Sequence, residues 1–84
     1  MIIKKDNKYY ELGKEVNIDR LKEEIVDIQN EILNIPSPKV YDGTDKFFKN
    51  AVESWNRINV YGLKTTLEYE IRLRQEAVDI AESL

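Results

Sequence analysis

The stretch VYGLKTTLE, residues 60–68, decides how many helices this chain forms. Val60 would point into the polar face of the preceding helix if that helix continued, and Gly62 is a typical C-terminal stop. The four residues from Thr65 have the Ser/Thr-x-x-Glu form of a capping box. We therefore predict that one helix ends before Gly62 and another begins after it. One uninterrupted helix over 45–84 is the alternative, since an isolated glycine within a helix costs only about 1 kcal/mol.

The helix predicted over residues 66–83 is the most apolar part of the chain. Its polar arc spans only about 120°, so its apolar arc is nearly twice the stripe that a helix with one neighbour needs. We expect one border of this arc to pack inside its own bundle. The opposite border is predicted to bind a partner chain, and its residues are Tyr69, Leu73, Ala77, Ile80 and Leu84.

Glu70 and Arg74 lie within this apolar arc, four residues apart, with the acid on the N-terminal side. That order favours an ion pair along the helix, with the hydrocarbon stem of Arg74 used as packing surface. A second interpretation is a charged pair that sets specificity in a protein–protein contact. The third is a ligand site in which Arg74 holds an anion.

The rest of the chain completes the predicted fold, which is mainly α. Residues 2–12 resemble a β-hairpin turning at Asp6-Asn7, and two further helices are predicted over 18–35 and 45–60. We thus expect a single domain over 1–84, a three-helix bundle with a short N-terminal hairpin, completed by self-association. The predicted core consists of Leu21, Ile25, Ile28, Ile32, Phe48, Ala51, Trp55, Ile58, Leu67, Ile71 and Val78.

Composition excludes several classes of site. The 84 residues include no histidine and no cysteine, which removes the commonest metal ligands and general bases, so we expect no metal site, no cofactor and no enzymatic activity. The net charge of −3 makes nucleic acid an improbable partner. The absence of cysteine and of an apolar leader or membrane-length segment favours a cytoplasmic protein.

A small basic and aromatic group lies at the N-terminus. Lysines alternating with tyrosines are a weak signal for binding single-stranded nucleic acid, and edge lysines that prevent aggregation explain the same pattern. The residues are Lys4, Lys5, Lys8, Tyr9 and Tyr10.

From these features we expect a small non-enzymatic protein–protein interaction module that acts through an apolar helical face. Such a chain would suit an accessory or inhibitor protein of a bacterium, phage or mobile element, with another copy or a different protein as its partner. The alternative function is binding of a small ligand or nucleic acid through Arg74 or the lysine-rich hairpin.

Overall fold

A computed structural model describes all residues 1–84 as a small sheet followed by two helices. The antiparallel sheet has the order β1-β2-β3, with β1 Ile2–Lys5, β2 Lys8–Glu11 and β3 Lys14–Val16. Helix α1 spans Ile18–Leu33. After a loop, α2 Lys46–Asn56, a π-helical segment Arg57–Gly62 and α3 Leu63–Glu82 follow one another directly.

The predicted helix break around Gly62 is wrong, and so is the three-helix bundle. The backbone stays in the right-handed helical region at Asn56, Gly62 and Leu63, with φ between −62° and −65°. Thr65 does not cap a new helix, because its hydroxyl donates to the Tyr61 carbonyl at 2.9 Å within the helix. Residues 46–82 therefore form one long helix, as the alternative interpretation stated.

The π-helical segment explains why the apolar pattern changes at Val60 without ending the helix. A π turn contains about one residue more than an α turn, so it rotates α2 by about 100° relative to α3. That rotation brings the side of α2 that holds Val52 and Trp55 into line with Val60, which is only 6% exposed. Gly62 permits the turn, since a Cβ at this position would lie 2.7 Å from the Arg57 carbonyl oxygen.

The N-terminal sheet has one strand more than the predicted hairpin. Asp6 and Asn7 form the expected turn between β1 and β2, with φ of 53° and 64°. A second turn follows at Leu12 and Gly13, with φ of 52° and 78°, and pairs β3 with β2. Leucine rarely adopts positive φ, so the sequence carried no clear signal for this turn.

Helix α1 forms as predicted at its N-terminus and ends slightly earlier than predicted. The Asn17 side chain accepts a hydrogen bond from the Arg20 N–H at 3.1 Å, which satisfies one free donor of the first turn. The helix ends at Leu33 rather than Ile35. Pro36 restricts the residue before it to extended geometry, so the last predicted turn does not form.

The core lies where α1 packs antiparallel on α3, with β1 covering one end. Ile25, Ile28 and Val78 are buried as predicted, and Trp55 is half-buried. Four other predicted core residues are partly buried: Leu21, Ile32, Leu67 and Ile71. The complete buried set is Ile2, Ile18, Ile25, Ile28, Val60, Val78 and Ala81.

The prediction that α2 contributes to a bundle core is wrong for Phe48, Ala51 and Ile58, which are all exposed. The physical reason is that α2 continues the axis of α3 and does not fold back onto it. The molecule measures 65 × 21 × 17 Å, and its radius of gyration of 19.0 Å exceeds the roughly 12 Å of a compact chain of this length. Neither helix has an apolar run long enough to cross a membrane.

Gly62→Ala tests the π turn. In an ordinary helix, alanine would stabilise the chain by about 1 kcal/mol relative to glycine. Here the added Cβ meets the Arg57 carbonyl, so we expect destabilisation by about 1 to 3 kcal/mol, seen as a lower Tm in circular dichroism. Thr66→Ala, at an exposed position of the same helix, is the control and should not lower Tm. A raised Tm in Gly62→Ala would show that the π turn is not required.

Candidate interaction surfaces

We call α1, α3 and the three-stranded sheet the compact end, and Arg74 joins its two helices through two carboxylates. Its Nε donates to Glu24 of α1 at 2.9 Å, and one of its terminal nitrogens donates to Glu70 of α3 at 2.6 Å. The Arg74 side chain is 28% exposed, and the same terminal nitrogen also donates to the Glu70 carbonyl oxygen at 3.1 Å. Glu70 and Arg74 therefore pair as expected, and a third partner from α1 turns the pair into a contact between helices.

This arrangement favours the charged forms of its members. A hydrogen bond from Arg74 lowers the pKa of Glu24 below its ordinary value. The Nε of Arg20, which lies 3.4 Å from a Glu24 carboxylate oxygen, lowers the same pKa by a smaller amount. The hydrogen bonds that Arg74 donates to Glu70 and Glu24 raise the pKa of Arg74. An anionic ligand at Arg74 would have to compete with both carboxylates. The ligand-binding interpretation of Arg74 stays a prediction, and this geometry works against it.

The residues predicted to bind a partner lie along one side of α3, and we call this set the α3 face: Tyr69, Leu73, Ala77, Ile80 and Leu84. Four of them are substantially exposed, while Ala77 is half-buried against the core. Leu73, Ala77 and Ile80 line a shallow groove of about 280 Å³ together with Met1 and Ile2. The α3 face is thus a moderately apolar surface that continues onto β1.

The other end of the molecule is an arm that consists of residues 34–62, the loop together with α2 and the π-helical segment. Asp45 caps α2, since its side chain accepts from the Phe47 N–H at 2.9 Å. The loop is tied to the helix by Asn56, whose amide accepts from the Lys39 N–H and donates to the Lys39 carbonyl, both at 2.8 Å. The Lys39 ammonium lies 4.1 Å from the centre of the Trp55 ring, a cation–π contact.

One side of the arm carries three exposed apolar residues and one half-buried serine, and we call it the distal face: Phe47, Ala51, Ser54 and Ile58. Their spacing of four, three and four residues places them on one stripe of α2. Phe47 is 75% exposed and Ile58 is 65% exposed. Sequence reasoning missed this surface because it assigned the same periodicity to a bundle core. The sequence did not predict the π turn, through which α2 continues the axis of α3.

The basic and aromatic residues of the sheet do not converge on one surface. Residues directly opposite in an antiparallel pair share a face, so Lys4 and Tyr9 lie together on the side that packs toward the helices. The outward side carries Lys5, Lys8 and Tyr10. A nucleic-acid strand would meet only part of the predicted set, and that function stays a prediction.

Comparison with known proteins supplies no guide to these surfaces. No family model, curated protein or solved structure matches the chain.

Asn56→Ala should release the loop from α2. The substitution removes two hydrogen bonds of about 1 kcal/mol each, so we expect trypsin to cut after Lys39 about tenfold faster or more. Limited proteolysis followed by mass spectrometry measures this cut directly. Asn50→Ala, at an exposed position of the same helix, should leave the rate unchanged. Equal rates in the two variants would mean that Asn56 does not hold the loop.

Acid should weaken the contact between Arg74 and Glu24. Because the folded-state pKa of Glu24 is depressed, its stabilisation is present above its unfolded pKa and is lost as pH falls through the folded pKa. We expect the urea midpoint of Glu24→Gln to fall less than that of the native chain between about pH 5 and about pH 3.

Glu23→Gln is the matched control for this experiment, because Glu23 is the adjacent exposed carboxylate and makes no ion pair in the structure. Its urea midpoint should follow that of the native chain across the acid range. The same acid response in all three proteins would contradict a stabilising role for Glu24.

Proposed function

We propose that this chain is a small non-enzymatic protein–protein interaction module, which acts through apolar helical surfaces that its own fold leaves uncovered. One observation carries the proposal. The solvent-accessible surface is 6766 Å², whereas a compact protein of this mass exposes about 5,200 Å². The excess of roughly 1,500 Å² exceeds the about 800 Å² that each partner covers in an interface of standard size.

The α3 face and the distal face are the two surfaces available for such contacts. The α3 face supports binding of a partner protein, because its exposed Tyr69, Leu73 and Ile80 adjoin the groove against β1. Exposed aromatic and aliphatic side chains grouped on one side of a helix are the usual anchors of helix-mediated contacts. Glu70 and Arg74 lie beside this face on the same helix, where charge can discriminate between partners.

Composition supports the non-enzymatic part of the proposal, since a chain without histidine or cysteine lacks the side chains that most often act near neutral pH. The absence of cysteine also fits a reducing compartment, and we place the protein in the cytoplasm on that ground. An accessory or inhibitor protein of a bacterium, phage or mobile element is the biological role that we infer from its size and exposed apolar surface.

Association is tested by measuring the mass of the purified chain with light scattering. We expect the mass of a dimer or larger at tens of micromolar, falling on dilution, because the fold leaves roughly 1,500 Å² of surface in excess. The monomer mass is 9.9 kDa. A constant monomer mass up to about 100 µM, which corresponds to a binding free energy weaker than about −5.5 kcal/mol, would contradict association between copies.

A further inference from the structure

We infer that two copies of this chain pair through their arms, with the α2 helices antiparallel and the distal faces in contact. The inference rests on the proposed function and names the partner as a second copy. Phe47, Ala51 and Ile58 of the distal face are exposed within the chain, whereas the neighbouring side of α2 is covered by the loop at Lys39 and Tyr41. A helix stripe of this kind buries its apolar groups by packing against another helix.

The distal face is complementary to itself in one antiparallel register. If the two-fold axis passes between Val52 and Glu53, Phe47 of each copy lies opposite Ile58 of the other. Ala51 then lies opposite Ser54, so the two smallest side chains meet near the axis and allow the helices to approach closely. A two-fold axis uses the same patch on both copies, as most homodimers do.

The residues that flank the stripe fit the same register. Phe48 and Trp55 lie on one flank, where the loop residues Tyr41 and Lys39 already contact them, so the loop borders the seam on that side. Asn50 and Arg57 lie on the opposite flank and face each other as a polar pair. A parallel arrangement would instead align the helix dipoles unfavourably.

The charged residues of α2 remain in solvent in this dimer. On a wheel of about 100° per residue, Lys46, Lys49 and Glu53 all lie on the side away from the distal face. The antiparallel arms overlap over residues 46–59, about 21 Å of helix. The compact ends of the two copies then lie at opposite ends of the dimer, each with its α3 face uncovered.

Engineered cysteines test the register directly, because the native chain contains none. One preparation carries Phe47→Cys with a short affinity tag, and the other carries Ile58→Cys without a tag. Under mild oxidation we expect the mixture to form mainly the disulfide that joins a tagged Phe47→Cys chain to an untagged Ile58→Cys chain. This product should be in at least tenfold excess over disulfides between two chains of the same variant. Two copies of Cys at position 47 would lie about 16 Å apart along the helix axis, beyond the reach of a disulfide.

The mass of charged variants tests the surface independently. Phe47→Glu/Ile58→Glu should halve the mass at tens of micromolar while the helical circular dichroism is retained, because both positions are exposed in the single chain. Leu73→Glu/Ile80→Glu makes the same change on the α3 face and should leave the dimer mass unchanged. If Phe47→Glu/Ile58→Glu loses helicity, the disulfide experiment on the cysteine variants decides whether the distal faces are in contact.

Three results would overturn the inference. Same-variant disulfides in excess would mean parallel arms. A dimer that survives Phe47→Glu/Ile58→Glu and is lost in Leu73→Glu/Ile80→Glu would place the contact on the α3 face, which leaves the proposed function standing. A native chain that stays monomeric and forms no mixed disulfide would overturn both the inference and self-association.

Discussion

The unbroken helical backbone through Arg57–Gly62 is the constraint on which the rest of the structure depends. Had the chain reversed at Gly62, α2 could have folded back on the compact end and buried its own apolar residues. Because the π turn continues the helix, α2 projects from the compact end as an arm. The same turn determines which side of α2 is aligned with Val60 and which side remains uncovered.

The compact end is correspondingly small and depends on few contacts. It consists of α1, α3 and the three-stranded sheet, and it buries only isoleucine, valine and alanine side chains. Arg74 is the polar link at this end, because it donates hydrogen bonds to both Glu24 of α1 and Glu70 of α3. A core of this size offers little stability in reserve.

Local chemistry made several features predictable from sequence. Asn17 caps α1, Asp6-Asn7 turns the first hairpin, and Glu70 pairs with Arg74 at the expected spacing. Each depends on residues a few positions apart, where side-chain chemistry and backbone geometry leave few alternatives. The turn at Leu12, by contrast, places leucine at positive φ, and the pairing of β3 with β2 is what makes that turn part of the sheet.

The sequence by itself determined that the chain is mainly helical, where α1 begins, where it ends to within two residues, and which side of each helix is apolar, because these properties follow from periodicity and capping within single segments. Only the tertiary structure decided whether an apolar stripe is core or surface. The spacing of Phe47, Ala51 and Ile58 is the same in either case. They are exposed because the backbone continues through Gly62 as one helix. A helix that continues straight carries the apolar side of α2 away from the core.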